Sequence, residues 1–212
     1  GTDAKPKRVH LGHWWLQDAS APTFDRMVFN PRAYGSPGAA NTREFSTYTG
    51  PGVSRQDASH ADPRDAQPLL DHIRTIWCRG DEELYTYVLN WLVSVVQRPW
   101  HKLGVALLLQ GEQGSGKGCV VEFIKQIVGD SFKAVHRADP VLGTFNTALL
   151  GSSLLFLDEM FWGGDKKLAG AWKALITEPV HQINQKYLPI ISQKSCHNVI
   201  VASNNAHLAP VE

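Results

Sequence analysis

The chain has 212 residues, 43% of them hydrophobic and 19% charged, with a formal net charge of +1. That is the composition of a globular protein with room for one substantial core and a small second unit, and it excludes a global electrostatic field for nucleic acid, so any such contact must come from a local cluster. No apolar run reaches the ~18 residues of a membrane span, and no secretory signal opens the chain. Cys78, Cys119 and Cys196 are widely spaced and odd in number. They form neither a metal pattern nor a disulfide framework, so a reducing compartment is expected and no membrane partner.

Residues 1–64 are rich in Pro, Gly, Ser and Asp and read as an irregular lead-in. Trp14-Trp15-Leu16 and Met27-Val28-Phe29 read as brief strands, punctuated by Asn30-Pro31, Gly35-Ser36-Pro37-Gly38 and Gly50-Pro51-Gly52. Residues 65–100 read as a helical subdomain. Leu69, Leu70, Ile73, Ile76 and Trp77 recur at helical spacing, with Gly80 as a stop. Asp81 can cap a second helix with Leu84, Tyr87, Val88, Trp91, Leu92 and Val95 on one face, ended by Pro99.

Residues 101–212 read as a parallel α/β core. The apolar run Val105–Leu109 meets Gly111-Glu112-Gln113-Gly114-Ser115-Gly116-Lys117-Gly118 and then the helix start Cys119-Val120-Val121. Strand, glycine turn and helix are the setting of a phosphate loop. Its N–H groups and the helix N-terminus attract anions, and Lys117 can reach β- and γ-phosphates. Gly118 stands where that motif carries a Ser or Thr for Mg²⁺, so the ion must be held by phosphates, water and another acidic residue. ATP and Mg²⁺ are the expected cofactors.

A buried strand, Leu154–Leu157, ends in Asp158-Glu159, at the sheet edge where α/β proteins bind ligands. Asp158 is the expected Mg²⁺ ligand and Glu159 the group that polarises the attacking water. After a helix from about Lys166 to Thr177, residues 180–191 read as strand, tip and strand, with Lys186 at the tip. The last strand, Val199–Ala202, ends in Ser203-Asn204-Asn205; an Asn amide there can bond both the γ-phosphate and the water.

These elements, in this order, resemble superfamily 3 helicases, and more narrowly the primase-helicases of phages, mobile elements and large DNA viruses. The resemblance covers roughly residues 65–212. It rests on Gln97-Arg98-Pro99, the loop through Gly118, Gly143-Thr144-Phe145-Asn146, Leu157-Asp158-Glu159, Leu175–Pro179 and Ala202–Asn205. It implies an AAA+-like P-loop fold, a homo-hexameric ring moving on single-stranded DNA, and a bacterial or phage-infected cytoplasm. It makes Lys117 the phosphate-loop lysine, Asp158 and Glu159 metal ligand and base, Asn204 the sensor, and Lys186 the pore lysine that touches DNA. No arginine follows Asn205 to act as a trans finger, so the core reads as truncated at its C-terminus and weakly active alone. Two other readings stay open: a P-loop nucleotide kinase, and a non-enzymatic ATP-binding DNA initiator module.

Overall fold

In the computed structural model, which describes residues 10–34, 43–159 and 166–204, the chain opens with α1 (Leu11–Gln17), β1 (Arg26–Val28), β2 (Glu44–Ser46) and α2 (Arg55–His60). Trp14, Trp15 and Leu16 therefore lie in a helix, not in the strand their short apolar run implied. A run that short satisfies either period. The lead-in is also more regular than expected, since β1 and β2 pair in parallel, Met27 opposite Phe45. Gly35–Gly38, Asn205 and everything after it lie outside the described residues.

α3 (Gln67–His72) runs on as a π-helical turn, Ile73–Trp77, closed by Gly80 at φ +80°. α4 (Glu82–Gln97) starts where Asp81 accepts a hydrogen bond from the Leu84 amide at 2.9 Å, and it stops two residues before Pro99. Its buried face is Tyr85, Val88, Trp91, Leu92 and Val95; Leu84 and Tyr87, expected on that face, are exposed.

The core then follows as β3 (Leu107–Gln110), α5 (Lys117–Val128), β4 (Phe132–Val135), α6 (Asp139–Leu142), β5 (Leu154–Asp158), α7 (Lys166–Thr177), β6 (Val180–Ile183), β7 (Ile191–Lys194) and β8 (Asn198–Ser203). β3, β8, β5 and β4, in that spatial order, form a four-stranded sheet, parallel throughout. β6 and β7 make a separate antiparallel hairpin with Lys186-Tyr187 at its turn. The α/β expectation holds as a parallel sheet flanked by helices.

Strand alternation builds two cores. Leu154 and Phe156 of β5, with Ile200 and Ala202 of β8, face α4 and α5. Leu155, Leu157, Val199 and Val201 face the other way, onto Val141, Trp172, Leu175 and Ile183. Among the described residues no helix is long and apolar enough to cross a membrane.

A half-buried lysine ties the hairpin to this frame. The Lys102 ammonium donates to the Leu175 and Glu178 carbonyls and to Ser195 Oγ, each at 2.7 Å, and lies 3.3 Å from His181 Nε2. It thus caps the C-terminal end of α7 and the base of the hairpin together. Asn198 secures the preceding linker, accepting from the Leu103 amide and donating to the His101 carbonyl. Burial lowers the Lys102 pKa to about 8, although Glu178 opposes the shift. Burial, then the Lys102 charge, holds His181 at about 4 and His197 at about 3.

The helix α5 begins at a tight contact. Gly116, its N-cap, has φ +84° and no side chain to cap with. His72 of α3 lies against it, with Nε2 3.0 Å from the Gly116 carbonyl. A Cβ on Gly116 would fall 2.5 Å from His72 Cε1.

Two outcomes follow from these contacts. Both histidines take up protons near pH 6.5 when unfolded but resist protonation when folded, so the unfolded state binds more protons below 6.5. The contribution of the two histidines is therefore full above pH 6.5 and declines as pH falls toward 3; the urea midpoint should be lower at pH 5 than at pH 7. His197→Gln should remove on the order of 1 kcal/mol of that difference. Gly116→Ala should lower the thermal midpoint, the left-handed backbone alone costing roughly 1–2 kcal/mol. His72→Gly in the same chain should restore only part of the loss, since it relieves the clash and not the φ.

Candidate functional site

β8 brings three strand ends together. Its neighbours are β3 on one side and β5 on the other, with Gln110 opposite Ser203 and Asp158 opposite Ala202. Past the ladder, the Gly111 amide donates to the Ser203 carbonyl at 3.3 Å and the Glu159 amide to the Ala202 carbonyl at 2.8 Å. Gly111, Glu159 and Asn204 thus emerge side by side at the carboxyl edge of the sheet, the usual ligand edge of parallel α/β sheets.

A cleft of about 300 Å³ opens there. It is lined by Gln113, Gly114, Ser115, Gly116, Lys117 and Gly118, and by Asp158, Glu159, Ala202, Ser203 and Asn204. Gly114 and Gly116 both have positive φ, +79° and +84°, which lets the turn curl at little steric cost. α5 follows immediately, so its free amides and dipole meet the cleft.

Lys117 bridges the loop and the last strand. Its ammonium donates to the Gly111 carbonyl at 2.6 Å, the Glu112 carbonyl at 2.7 Å, Asn204 Oδ1 at 3.1 Å and Ser115 Oγ at 3.3 Å. The cation is held by neutral dipoles, none of them a carboxylate. An anion entering the cleft would offer it a stronger partner.

The acidic pair sits opposite. Asp158 ends β5, half-buried, 3.6 Å from His136 Nδ1. Glu159 is exposed and has φ +54°. A non-glycine residue in that region is strained, and such strain gathers at functional sites. Asp158 is a hard oxygen donor, and among the described residues no group of three or more His, Cys, Asp or Glu converges to hold a metal. The donor set fits a cation that brings phosphate and water ligands with it, as Mg²⁺ does.

The cleft gathers Lys117, Asp158, Glu159 and Asn204 with Gln113 to Gly118. Gly111 and Glu112 contribute carbonyls to Lys117 and do not line the cleft. Cys119 also lies outside it: its thiol is exposed on α5 and its amide bonds the Gly116 carbonyl at 3.3 Å. Lys186 is not among the lining residues either. It sits at the hairpin turn, its ammonium 5.0 Å from the Tyr187 ring centroid.

Sequence reasoning missed His72 and His136. His136 follows the buried Val135 at the end of β4, a polar residue at a carboxyl strand end, and that signal was available. His72 lies 44 positions before its partner Gly116, and nothing local marks it.

Residues 109–212 match a protein family described as a family of unknown function, DUF5906. That match spans the glycine loop, the acidic pair, the hairpin and β8. Over 127 residues, 58% of this chain, the sequence is 27% identical to the DNA primase-polymerase of Nitratiruptor phage NrS-1. Those residues cover 18% of that protein, so the chain spans under a fifth of its length. In fold the chain is similar to the apo C-terminal region of NrS-1, residues 305–718 of that protein. One such structure aligns with TM-score 0.62 and 24% identity, covering 72% of this chain and 36% of the other. Another apo structure of this region aligns with TM-score 0.67 and 20% identity, covering 92% and 46%. The chain is thus similar in sequence to a phage replication protein, and in fold to the C-terminal region of NrS-1.

Proposed function

We propose that this chain is the ATP-hydrolysing part of a DNA replication protein, an AAA+-like P-loop motor of the superfamily 3 type from a phage or mobile element. In this reading it uses turnover to move on single-stranded DNA, assembled as a homo-hexamer. The observation that carries the proposal is the single cleft shared by the glycine loop, Lys117, Asp158, Glu159 and Asn204. The similarity to a protein named a DNA primase-polymerase supports the replication setting.

The residues divide the work as follows. The amides of the loop and of the first turn of α5 receive the phosphates. Lys117 exchanges the Gly111 and Glu112 carbonyls for phosphate oxygens, a charge-assisted contact. Asp158 and the phosphates would hold Mg²⁺, which supplies charge neutralisation between them. Glu159, held in position by the hydrogen bond its backbone amide donates to the Ala202 carbonyl, orients and polarises the attacking water. Asn204, released by Lys117, offers its amide to the γ-phosphate end. Positioning and charge compensation are what phosphoryl transfer demands. A cleft of about 300 Å³ suits the phosphate chain and leaves the remainder of the nucleotide to a neighbouring surface, which a ring would provide.

Lys117→Ala should weaken ATP binding about 10- to 100-fold, the value of a charged hydrogen bond to phosphate; a titration showing unchanged affinity rejects the assignment. Glu159→Gln should leave affinity within a few-fold and reduce turnover by ~10²-fold or more. Phosphate release at the wild-type rate in that variant removes Glu159 from the base role.

A further inference from the structure

A second, larger cavity of about 1070 Å³ lies at the other end of the sheet. Its floor is built from residues that precede or open the strands: Ser131 and Lys133 at β4, Gly151 ahead of β5, Cys196 ahead of β8. The glycine-loop cleft lies at the opposite strand ends, about 15 Å away along the five residues of β5. One wall is β1 and the turn after it, with Arg26, Met27 and Arg32. The other is β7, with Lys194, and Trp100 stands at the edge.

The cavity exceeds the ~300–1,000 Å³ of most small-molecule sites. Its lining carries four cations, Arg26, Arg32, Lys133 and Lys194, against two carboxylates, Glu44 and Asp130. Glu44 is already paired with Arg26, and Asp130 accepts from Thr49 Oγ1 at 3.3 Å. Among the described residues neither Arg32 nor Lys194 has an ion-pair partner. Apolar surface is exposed beside these charges: Trp100 is 36% and Met27 72% exposed. Unpaired cations alternating with an accessible indole are the make-up of a groove that tracks a phosphate backbone and stacks its bases. The groove is also continuous with the hairpin. β7 is at once its wall and the return strand from Lys186 and Tyr187, and Tyr187 is 90% exposed. From the turn at Lys186 and Tyr187 the chain returns through β7, Ile191–Lys194, whose four residues cover roughly 13 Å.

We propose that this basal groove binds single-stranded nucleic acid, with Arg32 and Lys194 on phosphates and Trp100 stacked on a base. The strand then runs from the hairpin turn along β7 to the face opposite the nucleotide cleft. The proposal rests on the reading that the chain handles single-stranded DNA, and it adds a site which that reading does not contain.

The test uses the whole chain and a labelled thymidine homopolymer of about 15 nucleotides, within the site sizes of single-strand grooves. Anisotropy titrations over a range of salt concentrations compare wild type, Arg32→Ala/Lys194→Ala, Trp100→Ala and Lys186→Ala. The double variant should reduce the salt slope by about two and weaken binding at least tenfold. Trp100→Ala should weaken binding about tenfold with the slope unchanged, and indole fluorescence lost with Trp100 should account for quenching by the homopolymer. ATP affinity should be the same in all of them. Wild-type affinity and slope in the groove variants, with binding weakened by Lys186→Ala alone, would overturn the groove and leave the DNA reading standing. Absence of binding by the wild-type chain would overturn both. Loss of inorganic pyrophosphate binding in the double variant, with the homopolymer unaffected, would make the cavity a small-anion site and overturn the proposal.

Discussion

The register of β8 between β3 and β5 is the constraint on which the rest of the molecule depends. Every residue of β8 is buried, and its backbone is hydrogen-bonded on both edges. A slip by one residue would turn Val199 and Val201 from one core to the other, which two covered faces forbid. That fixed register aligns the glycine loop, the acidic pair and Asn204 at one edge of the sheet. The chemistry of the cleft is therefore inherited from hydrophobic burial at a distance, in Leu154, Leu155, Leu157 and Ile200, all fully enclosed.

Lys117 shows how the site keeps itself in order. A half-buried ammonium needs partners, and four oxygens supply them. None carries a charge, so the lysine is satisfied without being neutralised. The strained Glu159 across the cleft is the counterpart: its backbone is held by β8 while its carboxylate stays in solvent. Lys102 follows the same logic at the base of the hairpin, where helix-end carbonyls and a serine stand in for water. Asn146 extends the pinning, donating to the Gln182 carbonyl and accepting from the Asn184 amide.

What the sequence disclosed was what short-range chemistry decides. The glycine turn between strand and helix, the Asp81 cap, the stop before Pro99, the all-apolar β5 and the helix ending at Thr177 are each fixed by neighbours a few positions away. The hairpin was visible from the extended runs on either side of Gln185-Lys186. The burial of Tyr85 instead of Leu84 and Tyr87 was not, because the rotation of α4 is set by what it packs on. The helical state of Trp14 to Leu16 was hidden by the brevity of the run. His72 against Gly116 and the groove beneath the sheet arise from elements far apart in the chain, and no local pattern encodes them.

The position of β8 also governs how the molecule comes into being. Among the described residues it is the last of the sheet strands in sequence and an interior one in space, and Leu107 must wait for Ile200, some ninety positions later. Closing so long a loop is slow, since the entropy is lost before the contacts repay it. Until residue 203 is available, β3 and the β4–β5 pair expose open edges that invite pairing with other chains. Assembly at low concentration, or beside a chaperone, is the natural circumstance for a polypeptide wired in this order.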